Sequence, residues 1–184
     1  MKKPVLYCDL DGVLCDLGKA INQLRPDLDP KVFHTDIDDL FKNNPHIFQN
    51  LEPIEGAIGA IIDLSSHFDI YFLSTPAWEV PESFSGKRIW LENHFGKHAE
   101  KRLILTHRKD LAIGDYLVDD NLRHGVSEFK GEHIHFGTEK FPNWGETHKY
   151  LISKVGRNML PKASSDFSRS EYPATKNSGL DMYP

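Results

Sequence analysis

The sequence predicts an α/β fold: a Rossmann-like parallel sheet with a small helical cap inserted after the first strand. Three observations predict it. Short apolar runs alternate with amphipathic helical stretches along the chain. The runs end in polar residues of the kind that line a crevice at the carboxyl ends of parallel strands. Between the first run and the first clear amphipathic helix, residues 15–52 carry helical spacing without a strand signal.

Taken in order, Val5 to Cys8 is an apolar run that stops at Asp9-Leu10-Asp11-Gly12-Val13, as a buried strand entering a glycine-containing loop does. In the insertion, Asp27, Pro30, Asp36, Asp38 and Asp39 mark turns and helix starts, and Phe33, Ile37, Leu40 and Phe41 recur at helical spacing. Ile54 to Leu64 follows the 3.6-residue period of an amphipathic helix. Asp69 to Leu73 is the second strand, ending in Ser74-Thr75-Pro76. Lys87 to Phe95 reads as a helix stopped at Gly96. Leu103 to Leu105, Tyr116 to Val118 and His133 to Phe136 are three further strands, and Thr147 to Val155 is a last helix.

The 184 residues, with 39% hydrophobic and 27% charged, suffice for one domain with a hydrophobic core. Residues 1–160 read as that domain, with the cap at about 15–52. Residues 161–184, rich in Ser, Pro, Lys and Asp, read as a disordered or loosely packed tail. The alternative for this tail is a strap over the domain through Phe167, Tyr172 and Tyr183. A net charge of -5 argues against binding a nucleic-acid polymer or an anionic membrane. No apolar run approaches the roughly 20 residues of a membrane span, and the opening apolar stretch is broken by Asp9 and Asp11. Two cysteines exclude a disulfide scaffold. Cys8 reads as a buried strand residue, and the ten histidines show no spaced ligand pair for zinc. A reduced, cytoplasmic protein is expected.

The chemistry gathers at the strand ends. The first strand delivers Asp9 and Asp11, the second Ser74 and Thr75, and the fourth Asp119 and Asp120, while Lys109 lies just beyond the third. Singly, these read as a turn, a helix cap and a solvated lysine. Together they place acids, hydroxyls and a cation in one crevice. Carboxylates held that close need a compensating cation or must protonate. A hard ion such as Mg²⁺, which takes oxygen ligands and keeps waters for a phosphate, supplies the compensation. Ser74, Thr75 and Lys109, with Lys87 as a weaker candidate, suit phosphoryl oxygens.

The order Asp9-Leu10-Asp11-Gly12-Val13, Ser74, Lys109, Asp119-Asp120 resembles the four motifs of the haloacid dehalogenase superfamily of phosphohydrolases. Asp9 to Asp16, Leu51 to Ala57, Ser74-Thr75-Pro76, Lys87 to Gly96 and Gly114 to Asp120 are similar, more narrowly, to the 5'(3')-deoxyribonucleotidase family. That resemblance covers roughly residues 4 to 155. The insertion is shorter than in the animal enzymes, Leu17 stands where an aromatic is expected, and Trp78 stands where a lysine near the phosphate is expected. These departures bear on the substrate, not on the phosphoryl chemistry.

The resemblance implies a Mg²⁺-dependent phosphomonoesterase. Asp9 would be the nucleophile, forming an aspartyl-phosphate, and Asp11 the general acid and base. Asp9, the main-chain carbonyl of Asp11, and Asp120 would hold the metal. Asp119 would orient Lys109 or a metal water, although the direct ligand of the acid pair is open between Asp119 and Asp120. The expected substrate is a (deoxy)nucleoside monophosphate. A sugar phosphate or other small phosphoester is the alternative, and a non-catalytic phospho-acceptor domain a third. Phe33, Phe41, Phe48 and Trp78 read first as packing and second as a base-stacking surface. The oligomeric state is open, a homodimer being one option.

Overall fold

The computed structural model describes residues 2–27 and 35–155. Phe33 and the segment 161–184 lie outside the described residues. Five parallel strands form one sheet in the order β3-β2-β1-β4-β5. They are β1 (Val5–Cys8), β2 (Asp69–Ser74), β3 (Leu103–Leu105), β4 (Tyr116–Asp119) and β5 (Glu132–His135). The helices are α1 (Leu17–Leu24), α2 (Thr35–Asn43), α3 (Ala57–Leu64), α4 (Glu82–Phe95) and α5 (Trp144–Val155). The first two lie between β1 and α3, where the insertion is expected.

The central strand β1 is buried on both faces, which is why it carries no polar alternation. Leu6 and Cys8 face a large core shared with Ile61, Phe72, Trp90, Val118, Ile134 and Trp144. Tyr7 points the other way, into a smaller cluster with Leu73, Leu117, Val126 and Phe129. Helices α3, α4 and α5 supply the first face. The second face is closed by short 3-10 turns at Lys109–Leu111 and Val126–Glu128, in the links from β3 to β4 and from β4 to β5.

Several element boundaries differ from the sequence expectation, each for a local reason. Helix α3 begins at Ala57 instead of Ile54. Gly56 precedes it with φ at 78°, and the chain before it is held as a strap by Ile54 N–H to the Leu14 carbonyl (2.9 Å). Helix α4 begins at Glu82, five residues earlier than Lys87, behind Pro81 whose φ of -53° already suits a helix. Helix α5 starts at Trp144, where the Asn143 side chain accepts the Glu146 N–H (3.1 Å) as an N-cap. Strand β5 ends one residue early, although Phe136 N–H still reaches the Asp119 carbonyl at 3.0 Å.

Two buried indoles fasten the segments around the end of β1. Trp90 Nε1 donates to the Leu51 carbonyl (2.8 Å) and Trp144 Nε1 to the Val13 carbonyl (2.7 Å). In the insertion, Ile37, Leu40 and Phe41 of α2 are buried, and Phe41 meets Phe48 edge-on at 4.9 Å. Both phenylalanines are therefore packing residues, the first of their two readings.

The chain runs β1, β2, β3 in one direction and then crosses back to β4 on the other side of β1. The reversal opens a crevice at the carboxyl ends of β1 and β4. Asp9 N–H bonds the Val118 carbonyl there at 2.9 Å, which sets Asp9 beside the Asp119-Asp120 pair.

Candidate active site

The crevice is built from backbone upward. Past β1, Leu10 O accepts from the N–H groups of Val13, Leu14 and Cys15 (3.2, 2.7 and 2.9 Å), and Gly12 N–H reaches back to Cys15 O (2.9 Å). This tight turn needs Gly12 at φ 77°. It also needs the space: a Cβ there would lie 2.3 Å from Asp120 Oδ2. The glycine of the Asp-x-Asp-Gly run thus lets the Asp120 carboxylate approach the turn that carries Asp11.

Asp9, Asp119 and Asp120 converge, with one carboxylate oxygen of each within 4.8 Å of the others. Asp9 and Asp119 are buried, and Asp120 sits at the solvent edge. Lys109 is 2% exposed, donates to Asp119 Oδ2 at 2.5 Å, and forms an ion pair with Asp9 Oδ1 at 3.1 Å. Its 3-10 turn is anchored by Lys109 N–H to the His124 carbonyl (2.7 Å).

The electrostatics follow from this crowding. Burial, and then the charge of Asp9, push Asp119 up to about 7, against the pull of Lys109. Lost hydration and the same Asp9 charge raise Asp120. Burial pulls the Lys109 ammonium down, but Asp9 and Asp119 more than reverse that, so it remains a cation. The cluster is short of positive charge.

Asp119 accepts from Lys109 at one oxygen and from Asn121 N–H at the other (3.1 Å). Asp120 Oδ1 accepts from Asn121 Nδ2 (3.1 Å), and Oδ2 turns toward Gly12. Among the described residues, three buried side-chain polar atoms have no hydrogen-bond partner: Asp9 Oδ1, Ser74 Oγ and, on α5, Thr147 Oγ1. Two of the three lie at neighbouring strand ends in this crevice. Buried polar atoms are rarely left without a hydrogen bond; Asp9 Oδ1 has the Lys109 ammonium at 3.1 Å, and Ser74 Oγ has no such neighbour among the described residues.

Two of the expected phosphate ligands are engaged by protein groups in this structure. Thr75 Oγ1 donates to the Thr106 carbonyl at 2.9 Å and braces the loops after β2 and β3, which leaves its main-chain N–H as the group for a phosphate oxygen. Lys87 is engaged as well. It is 1% exposed, and its ammonium closes on Asp11 Oδ2. The spacing of α4 places Lys87 on the buried side with Ser83, Gly86, Trp90 and Leu91, but it does not show which carboxylate the ammonium meets.

A pair of histidines behind the acids is a feature that reading the strand ends does not single out. His133 Nε2 lies 3.0 Å from the Asp119 carbonyl and His135 Nε2 3.0 Å from the Asp120 carbonyl. Their rings stack at 5.2 Å. The available signal was their i, i+2 spacing on β5, which pairs His133 with Leu117 and His135 with Asp119. At the rim, Trp78 is 74% exposed and meets His107 edge-on at 5.7 Å.

The sheet order and helices define the class of fold: Rossmann-like α/β, of the haloacid dehalogenase kind. Two solved structures share the fold. A haloacid dehalogenase-like hydrolase of Xanthomonas campestris has a TM-score of 0.50 at 12% identity, covering 85% of this chain and 95% of its own. The HAD-hydrolase YfnB of Bacillus subtilis, solved bound to magnesium, has a TM-score of 0.55 at 12% identity, covering 82% and 99%. Among sequence relatives, a protein of Vibrio phage KVP40 named "Putative 5'(3')-deoxyribonucleotidase" is 43% identical over 153 residues, 83% of this chain and 86% of the relative. A Bordetella bronchiseptica protein of the same name is 32% identical over 136 residues, covering 63% and 73%.

The chain belongs to the 5' nucleotidase, deoxy (Pyrimidine), cytosolic type C family, whose sequence profile matches residues 3–149. It is a phosphomonoester hydrolase of the 5'-nucleotidase kind. No helix among the described residues is long and apolar enough to cross a membrane.

Proposed function

We propose that the protein dephosphorylates (deoxy)nucleoside monophosphates with Mg²⁺, through an aspartyl-phosphate on Asp9. The observation that carries this is Asp9 Oδ1, held 3.1 Å from the buried ammonium of Lys109, with the unpaired buried hydroxyl of Ser74 at the neighbouring strand end. A nucleophile, a hydroxyl donor and a fixed cation are what an incoming phosphoryl group requires.

The residues fit a divalent cation. Three carboxylates converge, every donor is oxygen, and burial followed by the charge of Asp9 pushes up the carboxylates of Asp119 and Asp120, a crowding that a cation would relieve. Asp9 and Asp120 would be the carboxylate ligands, joined by the main-chain carbonyl of Asp11. Asp119, whose two oxygens are taken by Lys109 and the Asn121 N–H, would hold Lys109 in place. A bound Mg²⁺ would shield the Asp9 carboxylate from the phosphate dianion and neutralise charge on the phosphoryl oxygens.

In the first step an Asp9 oxygen bonds to phosphorus and the bond to the substrate alcohol breaks. The leaving oxygen keeps that electron pair and takes the proton of Asp11. In the second step Asp11, now a carboxylate, takes a proton from water as the water oxygen attacks phosphorus. The Asp9–phosphorus bond breaks, and Asp11 is again protonated. Ser74 and Lys109 hold the phosphoryl oxygens through both steps.

The segment 15–52, with α1 and α2, would form a cap that keeps water out and selects the leaving group. The substrate is a small phosphorylated metabolite, and the two unbonded cysteines suit a reducing cytoplasm. The test is a panel of phosphomonoesters with Mg²⁺, run beside Asp9→Asn. Preference for dUMP or dTMP over sugar phosphates is expected. Equal or better turnover of sugar phosphates would replace the nucleotide with a small phosphoester. Substantial Mg²⁺-dependent activity in Asp9→Asn would remove the nucleophile assignment.

A further inference from the structure

We infer that Lys87 is a positioning residue for the proton transfer, acting through Asp11 and not on the phosphate. The inference rests on the reading of Asp11 as the proton donor and deepens it.

The lysine is held in a place where a cation is costly unless paired. Its side chain is 1% exposed, and Asp11, at 21%, is the only carboxylate with which it forms an ion pair among the described residues. The difference in exposure decides the role. Asp11 shows one side to the crevice, while Lys87 lies behind it and does not emerge.

Three further contacts fix the arrangement. The Lys87 ammonium stands 5.1 Å from the centre of the Phe48 ring, and the side chain is shielded from water. Gly86 allows this seating, because a Cβ there would meet Phe48 Cβ at 3.1 Å and Gln49 N at 3.3 Å. The other Asp11 oxygen, Oδ1, accepts from Cys15 Sγ at 3.5 Å. Burial, followed by the charge of Asp11, keeps that thiol protonated and a donor. Asp11 is therefore gripped at both oxygens by groups outside the phosphate site.

The chemistry needs such a grip. As the ester bond to phosphorus breaks, the leaving oxygen takes the Asp11 proton and Asp11 becomes a carboxylate. An ammonium already fixed against Oδ2 receives that charge without reorganising, and it keeps the carboxylate from swinging toward the other acids.

The test compares two leaving groups in the first turnover after rapid mixing. p-Nitrophenolate departs without a proton, whereas the 5'-hydroxyl of thymidine needs one. For Lys87→Met, alcohol release from thymidine 5'-monophosphate should fall about 100-fold, the scale of a misplaced catalytic group. Release from p-nitrophenyl phosphate, and inhibition by inorganic phosphate, should be little changed. Lys87→Arg should recover part of the loss. Equal losses on both substrates would make Lys87 merely structural, and weakened inhibition by phosphate would make it a phosphate ligand; either overturns the inference. Asp11→Asn is the reference. If it shows the leaving-group split and neither Lys87→Met nor Lys87→Gln does, only the Lys87 role fails. If Asp11→Asn shows no split, the reading of Asp11 fails and takes this inference with it. Lys87→Gln carries the same comparison should the methionine variant not fold, as judged by circular dichroism.

Discussion

The ammonium of Lys109 lies 2.5 Å from Asp119 Oδ2, with the lysine 2% and the aspartate 0% exposed. The pair links the turn after β3 to the end of β4, and it brings a cation to the edge of Asp9. Removing one partner of a buried pair costs more than the pair contributes, because the other charge is left behind. Lys109→Met should therefore lower the unfolding free energy by about 3–5 kcal/mol in metal-free protein, measured by urea titration. It should also abolish phosphate release.

Asp9→Asn should behave differently. Turnover should be lost, by about 1,000-fold or more on the scale of a removed catalytic group, as followed by phosphate release. The metal-free fold should be no less stable, because the charge that raises Asp119 and Asp120 is removed while Lys109 keeps Asp119. A lower thermal midpoint would contradict this electrostatic account.

Gly12→Ala tests the turn. Its φ of 77° costs an L-residue about 1–2 kcal/mol, and its Cβ would strike Asp120 Oδ2, at 2.3 Å. The expected result is a folded protein with weakened Mg²⁺ affinity, read by calorimetric titration. Unchanged affinity would show that Asp120 holds no metal.

Metal affinity should rise with pH. Asp119 titrates near 7 in the fold, above its ordinary value, so the folded protein binds a proton that the unfolded chain has already lost. Metal-free stability therefore falls as pH climbs from the ordinary carboxylate range to about 7. Asp120, a proposed ligand, is raised in the same direction, so a cation held by Asp9 and Asp120 binds the deprotonated cluster and restores that stability. The thermal shift on adding Mg²⁺ should be larger at pH 8 than at pH 6. The stabilising contribution of Lys109, whose value is raised, is complete throughout this window.

His135→Phe should loosen the Asp120 main chain, which His135 Nε2 meets at 3.0 Å. A loss of about 10-fold in Mg²⁺ affinity is the scale expected for a lost orienting contact. Little change in the p-nitrophenyl phosphate KM should accompany it.

The local features of this protein are legible in its residues taken a few at a time. An apolar run such as Leu6-Tyr7-Cys8 must be buried on both faces, and a run followed by Asp9 and Asp11 must deliver them at a strand end. The five strands follow from the apolar runs and the acids from the strand ends, while the pairing of β1 with β4 brings Asp9 to Asp119 and Asp120. Helix starts were less legible, because Pro81 and Asn143 act as caps ahead of the periodic residues that announce a helix.

What only the tertiary structure decided is which polar group meets which. Lys87 and Asp11 are 76 residues apart, and no spacing relates them. Their pairing exists because Gly86 lets α4 press against Phe48 beside the turn after β1. Thr75 has a hydroxyl suited to phosphate, yet the loop after β3 supplies a nearer acceptor in the Thr106 carbonyl. The sequence determines the chemistry available at each strand end. Packing determines the partner, because burial leaves each polar atom only the neighbours that the fold brings within about 3 Å.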